Sequence, residues 1–388
     1  MRSVTEIRSL TGLRGLAALY VVVFHYFFGL PSSNAITTFM AHGYLAVDLF
    51  FVLSGFVMAL NYAHLFAGGP SAGAYRTFLG RRLARIYPLY LAATVAGFIL
   101  VVAGGLRYPH IPLVPALAAN VLAVQTWGFV PSFDQPAWSI SAEWAAYLLF
   151  PILLIPTLFR KPGTAWISAA VCVATLAALC LLPQALVAGQ HGADAPLDFH
   201  LPWLALPVAR CVPEFVLGLL AYRLAMTSTG RVLGSNRWIV PCIALLTLAL
   251  LTLLRTDFAV ILLFVVITTG LVDSRAKCWQ SAPHQIGRLL ASAPANVLGK
   301  LSYSVYLTHE LLAAALNWFS TTVRVHAPDI ARQENFGVAI GLALTLLTFP
   351  IAYAAYKTIE LPGRRWLRAI LERRAAEPIE WVYRGSAG

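Results

Sequence analysis

The stretch LRGLAALYVVVFHYFFG, from Leu13 to Gly29, has the length and the apolar character of a membrane-spanning helix. A helix needs about 20 predominantly apolar residues to cross the hydrocarbon core of a bilayer, and runs of similar length recur along the whole chain. Two residues within the stretch, Arg14 and His25, do not suit lipid. They are about three helical turns apart, so they share one helix face and lie about 16 Å from each other along the axis.

The composition of the whole chain is that of a polytopic membrane protein. Of 388 residues, 59% are hydrophobic and 11% are charged, and the mean hydropathy is +0.73. The net charge of +12 points first to basic cytoplasmic loops. No basic stretch is interleaved with exposed aromatic residues, so we do not expect nucleic acid as a partner. The cysteines are Cys172, Cys180, Cys211, Cys242 and Cys278. Their spacing is typical neither of a disulfide framework nor of a metal site, so we predict no bound metal.

The apolar runs predict an all-α membrane domain over residues 1–359 and a short basic cytoplasmic tail over residues 360–388. The segment 111–130 is ambiguous, because prolines and amides interrupt it. The clear spans number about ten: 11–30, 44–66, 86–105, 137–159, 164–182, 203–223, 238–254, 258–272, 296–319 and 336–357.

The distribution of lysine and arginine decides how to interpret the ambiguous segment. Short cytoplasmic loops carry most of these residues in membrane proteins. Ten spans place the main basic clusters and both termini on the cytoplasmic side, whereas counting 111–130 as an eleventh span reverses every later loop. We therefore predict that 111–130 is a re-entrant or surface-lying segment.

Ionisable residues inside spans usually face a cavity or a charged partner, so each one marks a candidate site. Asp48 is expected at a depth similar to that of His25, where it could accept a hydrogen bond from the imidazole and raise its basicity. Glu143 lies about two turns below the outer surface. By depth, these three residues could share one central polar cavity with Arg210 and His309; a purely structural role remains the alternative for each.

On the cytoplasmic side, Arg82 and Arg85 lie three residues apart in RRLARIYPLY. This spacing puts both guanidinium groups on one helix face, which suits the binding of phosphates. Ordinary positive-inside charge explains the same pair without any ligand. In the sixth span, Arg210 and Glu214 are four residues apart, and we expect them to form a structural ion pair.

Taken together, the blocks resemble the membrane-bound acyltransferase-3 family. The resemblance extends from about Leu10 to Arg365 and rests on seven blocks in the family's order. These blocks are LTGLRGLAALYVVVFHY, AVDLFFVLSGF, RRLARIYPLY, WSISAEW, RCVPEFVLG, LGKLSYSVYLTH and IELPGRR.

The resemblance implies a membrane O-acyltransferase, and it assigns roles to residues in these blocks. It implies an acyl-CoA donor, commonly acetyl-CoA, that is bound from the cytoplasm by Arg14, Arg82 and Arg85. It further implies a carbohydrate or cell-envelope glycan acceptor and a bacterial inner membrane. His25 would act as general base or carry the acyl group, oriented by Asp48 or Glu143. The remaining candidates, for substrate binding, are Trp138, Ser139, Arg210, Tyr303 and His309.

A transporter or flippase is the alternative, because buried His, Asp, Glu and Arg also build proton relays. Transporters often contain inverted repeats, and no second copy of the RGL or SGF block is evident. The outer loop Pro183–Pro202 is a candidate for acceptor recognition or simply a solvated loop. The sequence leaves both a monomer and a homo-oligomer open.

Overall fold

A computed structural model describes residues 5–27, 34–104, 106, 108–182, 195–198, 203–274, 280–326 and 336–376. Helices dominate these residues, and one short antiparallel pair, β1 (Val272–Asp273) with β2 (Gln280–Ser281), is the exception. The predicted acceptor loop Pro183–Pro202 lies almost wholly outside the described residues.

The helices are α1 (Arg8–Tyr26), α2 (Ala35–Ala41), α3 (Ala46–Tyr62), α4 (Ala72–Val102), α5 (Leu113–Val121), α6 (Ala137–Leu154), α7 (Pro162–Cys180), α8 (Leu206–Ala225), α9 (Ser228–Ser235), α10 (Ile239–Leu250), α11 (Asp257–Gly270), α12 (Gln285–Leu290), α13 (Ala293–His326), α14 (Phe336–Ala355) and α15 (Leu361–Ala376).

Each of the ten predicted spans coincides with a helix, but the helix ends differ from the prediction. The largest difference is in α4, which begins at Ala72 rather than at residue 86. Arg82 and Arg85 therefore lie in the same continuous helix as the predicted span, on one face as their spacing predicts. Ser71 caps this helix, since its hydroxyl accepts a hydrogen bond from the Ala74 amide at 3.1 Å, as N-cap serines do.

Within the described residues, six helical segments are long and apolar enough to cross a membrane, or seven if the bent pair α9 and α10 forms one span. These segments make the chain an integral membrane protein, whereas the count of ten spans and the cytoplasmic termini stay predictions. The helix α11 has 14 residues and rises only about 21 Å. The six segments are Arg8–Tyr26, Ala35–Phe66, Ala72–Val102, Ala137–Phe159, Pro162–Cys180 and Phe336–Leu371.

The ambiguous segment 111–130 contains the short helix α5 and a return. Nine residues rise about 14 Å, which is roughly half of the hydrocarbon core. The Asn120 side chain holds the return in place: its amide nitrogen donates to the Pro131 carbonyl and its oxygen accepts from the Phe133 amide, both at 3.1 Å. This geometry agrees with the non-spanning interpretation.

Two close helix crossings organise the bundle. Where α1 crosses α13, a Cβ atom added to Gly15 would lie 2.6 Å from the Gly299 backbone nitrogen. Where α3 crosses α8, a Cβ atom added to Gly55 would lie 1.9 Å from the Phe215 carbonyl oxygen. Small residues allow such backbone contact between membrane helices.

The beginning of the predicted tail belongs to the packed bundle. A π-helical turn, Tyr356–Glu360, joins α14 directly to α15. A Cβ atom on Gly363 would lie 2.5 Å from Pro88 Cβ, so α15 packs closely against α4. The predicted boundary at residue 360 therefore falls inside a continuous helical segment, and residues 377–388 lie outside the described part.

Candidate active site

Helices α1, α3, α4, α6 and α13 surround a polar cavity of about 100 Å³. This volume corresponds to about three water molecules. The cavity brings together the three arginines that the resemblance assigns to the donor, together with Glu143 and two of the substrate candidates, Ser139 and Tyr303. The predicted site residues in its wall are Arg14, Arg82, Arg85, Ser139, Glu143 and Tyr303. Ser302 and Tyr306, from the same helix as Tyr303, also line it.

Arg82 is held by Tyr147, a residue that the sequence analysis did not single out. Arg82 Nη2 donates to the Tyr147 hydroxyl at 2.7 Å, and its guanidinium carbon lies 4.6 Å from the centre of the ring. The Tyr147 hydroxyl in turn donates to Glu143 Oε1 at 2.5 Å. Glu143 and Tyr147 share a face of α6 because they are four residues apart, a spacing that could have identified the pair.

Arg85 pairs with a carboxylate from the other end of the chain. Its Nη1 lies 2.8 Å from Glu360 Oε1, and the Ser304 hydroxyl donates to Glu360 Oε2 at 2.7 Å. Glu360 is buried, although the sequence places it at the start of a basic tail. Its position in the IELPGRR block was the only sequence signal for this contact.

Arg14 lines the same cavity from α1 and makes no hydrogen bond or ion pair with any described residue. Arg82 and Arg85 each have a carboxylate within one or two hydrogen bonds, so the three guanidinium groups outnumber the two nearby acids. A partly buried charge without a partner is costly. The cavity therefore favours an anion.

A second cluster lies at the opposite end of α1. His25 Nδ1 is 3.0 Å from the Val21 carbonyl oxygen, and His309 Nδ1 is 2.7 Å from the Tyr306 carbonyl oxygen. Carbonyl oxygens only accept hydrogen bonds, so each neutral imidazole carries its proton on Nδ1. His309 Nε2 then presents its lone pair to His25 Nδ1, 3.3 Å away.

This arrangement leaves the lone pair of His25 Nε2 available as a base. Glu310 Oε1 lies 3.7 Å from this nitrogen, and the two side chains remain 17% and 22% exposed. A carboxylate at this distance attracts a positive charge. Glu310 was not among the predicted site residues, because its place beside His309 in the sequence does not reveal its contact with α1.

The same group could hold a metal ion. Ligand atoms of His25, His309 and Glu310 lie within 4.8 Å of one another, and two histidines with one carboxylate form a familiar zinc-ligand set. The absence of a metal requirement stays a prediction.

Tyr306 separates the cavity from the histidine cluster. Its hydroxyl group lies 2.8 Å from Ser139 Oγ, and its ring centre lies 6.0 Å from that of His309. The Phe50 ring packs edge-on against it at 5.8 Å. The predicted single central cavity is therefore two neighbouring regions, and neither His25 nor His309 lines the cavity.

Asp48 does not contact His25 as expected. It pairs with Arg210, whose Nε lies 2.8 Å from Asp48 Oδ1 and whose Nη2 binds the second oxygen. Both residues are buried and lie away from the cavity wall. A permanently charged guanidinium group needs a buried counterion more than a neutral imidazole does, and helix depth alone did not indicate which face Asp48 occupies.

The structure also places three further predicted residues: Glu214, Trp138 and Tyr303. Glu214 Oε1 lies 4.0 Å from Arg210 Nε, so the expected ion pair is present but is longer than the Asp48 pair. Trp138 packs against the Arg210 guanidinium at 5.5 Å and does not line the cavity. Tyr303 lines the cavity with its ring, while its hydroxyl donates to the Ile86 carbonyl at 2.6 Å.

Comparison with known proteins agrees with the architecture. A family described as an acyltransferase domain matches residues 7–357. The chain is 28% identical over 384 residues to Acyltransferase MdmB of Streptomyces mycarofaciens, covering 94% of this chain and 93% of that protein. It is 43% identical over 105 residues to Protein 2 in the picA locus of Rhizobium radiobacter, covering 26% of this chain and 50% of that protein.

A further relative is the O-acetyltransferase OatA of Staphylococcus aureus. The identity is 24% over 405 residues, covering 94% of this chain but only 58% of OatA. No solved structure matches the chain. The match to the family nonetheless covers nearly all of the sequence, and it confirms the resemblance seen in the seven blocks. The chain therefore belongs to the acyltransferase-3 family of membrane proteins.

Proposed function

We propose that the protein is an O-acyltransferase that moves an acyl group, commonly acetyl, from cytoplasmic acyl-CoA to a hydroxyl of a carbohydrate or cell-envelope glycan. The observation that carries the proposal is the cavity in which Arg14, Arg82 and Arg85 converge, with Arg14 on the same helix, α1, as His25. The names of MdmB, an acyltransferase, and OatA, an O-acetyltransferase, support the reaction class. The bacterial inner membrane is the proposed location.

The arginine cavity suits the phosphates of CoA. Guanidinium groups bind phosphate oxygens in pairs of parallel hydrogen bonds, and Arg14 has no competing partner among the described residues. A cavity of about 100 Å³ is too small for the whole donor. The nucleotide therefore stays at the mouth, and the pantetheine arm follows α1 toward His25 once Tyr306 moves aside.

At the other end, His25 Nε2 removes the proton from the acceptor hydroxyl. The resulting oxygen attacks the thioester carbonyl, the carbon–sulfur bond breaks, and the CoA thiolate leaves and takes up a proton. The Glu310 carboxylate, 3.7 Å from Nε2, stabilises the imidazolium that forms in between. In this role Glu310 replaces Asp48 and Glu143, which pair with Arg210 and Tyr147 instead.

The test uses the purified protein in lipid nanodiscs. Wild-type protein should bind acetyl-CoA and release CoA thiol when an acceptor is present, whereas His25→Ala should bind acetyl-CoA within twofold of wild type and release none. His64→Ala changes an exposed histidine and serves as the matched control with normal turnover. Retained turnover in His25→Ala would overturn the assignment, and loss of turnover after chelation would show that a metal is required.

A transporter or flippase is the second candidate. It is favoured by the buried ionic group of Asp48, Arg210 and Glu214, which lies outside the cavity and which an acyl transfer does not use. Flux of a substrate across proteoliposomes without consumption of acetyl-CoA would select this function.

A further inference from the structure

Asp134 is a buried carboxyl group that the proposed mechanism does not use. It lies in the connection between α5 and α6 and is 1% exposed. Neither of its carboxylate oxygens has a hydrogen-bond partner among the described residues. Burial without a partner disfavours the charged form and raises the pKa of Asp134 well above its usual range.

The backbone around Asp134 is firmly held, so the unpartnered side chain is not the result of a loose loop. The Phe133 amide donates to Asn120 Oδ1 at 3.1 Å, and the Ala137 amide donates to the Asp134 carbonyl at 3.0 Å. Helix α4 touches this backbone directly: a Cβ atom on Gly97 would lie 2.9 Å from the Asp134 nitrogen. The fold thus fixes the carboxyl group in place.

A second unpartnered group lies on the adjoining face of α4. Thr94 is one helical turn before Gly97, so it shares the face that packs against the Asp134 segment. Its hydroxyl is buried and has no partner with hydrogen-bonding geometry. The fold therefore gathers a carboxyl group and a hydroxyl group in one place, close to Tyr90, and gives neither a well-formed hydrogen bond among the described residues.

This place adjoins Tyr306, the residue between the two parts of the proposed active site. The Ser139 hydroxyl lies 2.8 Å from the Tyr306 hydroxyl and 3.1 Å from the carbonyl oxygen of Pro136, two residues after Asp134. A molecule bound at Asp134 would thus lie near the point where the cavity and the histidine cluster meet. That is where the acceptor, rather than the donor, is expected.

We propose that Asp134 and Thr94 form a subsite that binds a hydroxyl group of the acyl acceptor adjacent to the one that reacts, and so selects acceptors with neighbouring hydroxyls, such as sugars. A protonated carboxyl both donates and accepts hydrogen bonds, as an alcohol does, and the two therefore pair in either direction. The inference rests on the proposed acyl transfer, because it assigns the acceptor to that reaction.

The experiment compares two probes that have the same chain and different hydroxyl patterns. Octyl β-D-glucoside carries neighbouring hydroxyls, and 1-octanol carries a single hydroxyl. Both are offered with acetyl-CoA to protein in nanodiscs, and release of CoA thiol gives kcat and KM. Wild-type protein should prefer the glucoside. Asp134→Asn, which preserves the size of the side chain, should raise the KM for the glucoside at least tenfold and change octanol turnover and acetyl-CoA affinity less than twofold.

Thr94→Val is the second variant and should shift the same parameter in the same direction. Gln135→Ala, at the half-buried next residue, is the matched control and should leave the KM for the glucoside unchanged. An unaltered KM in Asp134→Asn, an equal loss with both probes, or the lack of a glucoside preference in wild-type protein would each overturn the subsite.

A binding experiment without acetyl-CoA tests this inference separately from the proposed function. Titration of octyl β-D-glucoside alone, followed by tryptophan fluorescence from Trp138 and its neighbours, should show saturable binding to wild-type protein and at least tenfold weaker binding to Asp134→Asn. Glucoside binding without any binding of acetyl-CoA would contradict the acyl transfer but not the hydroxyl site. Equal glucoside binding by both proteins would contradict the hydroxyl site alone.

Discussion

Arg14 differs from the other two arginines of the cavity, since Arg82 and Arg85 are each tied to a protein side chain and Arg14 is tied to none among the described residues. Replacing Arg14 by glutamine should therefore weaken acetyl-CoA binding without lowering stability. Hydrogen bonds to charged groups contribute about 1.5–3 kcal/mol, so we expect a loss of affinity of about 10- to 100-fold, measured by calorimetry in nanodiscs.

Arg76→Gln is the matched control for this change, because Arg76 lies on the exposed part of α4. It should bind acetyl-CoA as wild type does. Unchanged affinity in Arg14→Gln would show that the unpaired guanidinium does not hold the donor.

Asp48 is expected to act through stability and not through chemistry. Asp48→Asn removes the closer of the two carboxylates that pair with the buried Arg210 guanidinium and leaves only Glu214, 4.0 Å away, and breaking a buried ion pair in this way costs about 3–5 kcal/mol. We expect a lower melting temperature in a thermal unfolding assay, with normal acetyl-CoA affinity in the fraction that stays folded. Normal thermal stability combined with a selective loss of kcat would contradict this view.

These residues show what the sequence could and could not predict about the site. Charge and spacing predicted that Arg82 and Arg85 lie on one helix face, the family resemblance added Arg14, and all three line the cavity. Helix depth did not predict the partner of Asp48, because residues at one depth face different helices. The contacts of Glu310 and Glu360 join segments that are hundreds of residues apart, and no local pattern encodes them.

At the scale of the elements, the crossing of α1 and α13 holds His25 against His309. Gly15→Ala adds a methyl group 2.6 Å from the Gly299 nitrogen, which must push the helices apart. Overpacking of this kind costs about 1–3 kcal/mol, so we expect a lower melting temperature together with loss of acyl transfer.

Gly163→Ala is the control for helix propensity, since a Cβ atom there has no neighbour within 4 Å. Alanine is favoured over glycine in a helix by about 1 kcal/mol, and this variant should be as stable as wild type or more so. A stable, active Gly15→Ala protein would mean that the crossing does not position the histidines.

Apolar runs located the helices well, because hydrophobic length is a direct consequence of the bilayer. They did not locate the start of α4 or the helical continuation of α14 into α15, because these parts carry charges. Such charged helices are stabilised by packing within the bundle, which a hydropathy pattern does not report.

At the scale of the whole molecule, the charge distribution predicts that the arginine mouth faces the cytoplasm. Single cysteines in place of Arg76 and His110, in a background without the exposed Cys242, test this topology. Both positions are exposed; Arg76 lies near the start of α4, and His110 lies in the connection that follows its other end. A membrane-impermeant maleimide should label position 110 in intact spheroplasts and position 76 only in inside-out vesicles. Labelling of both positions from the same side would contradict the predicted orientation.

The ion pair between Arg85 and Glu360 also has a consequence for biosynthesis. The ribosome makes Arg85 early and Glu360 near the end of the chain, and the two side chains meet in the finished protein at 2.8 Å. During most of translation the arginine face of α4 therefore lacks its counterion and its covering helix. A truncated or stalled chain cannot assemble the completed cavity, so the cavity is complete only when nearly the whole protein has been made.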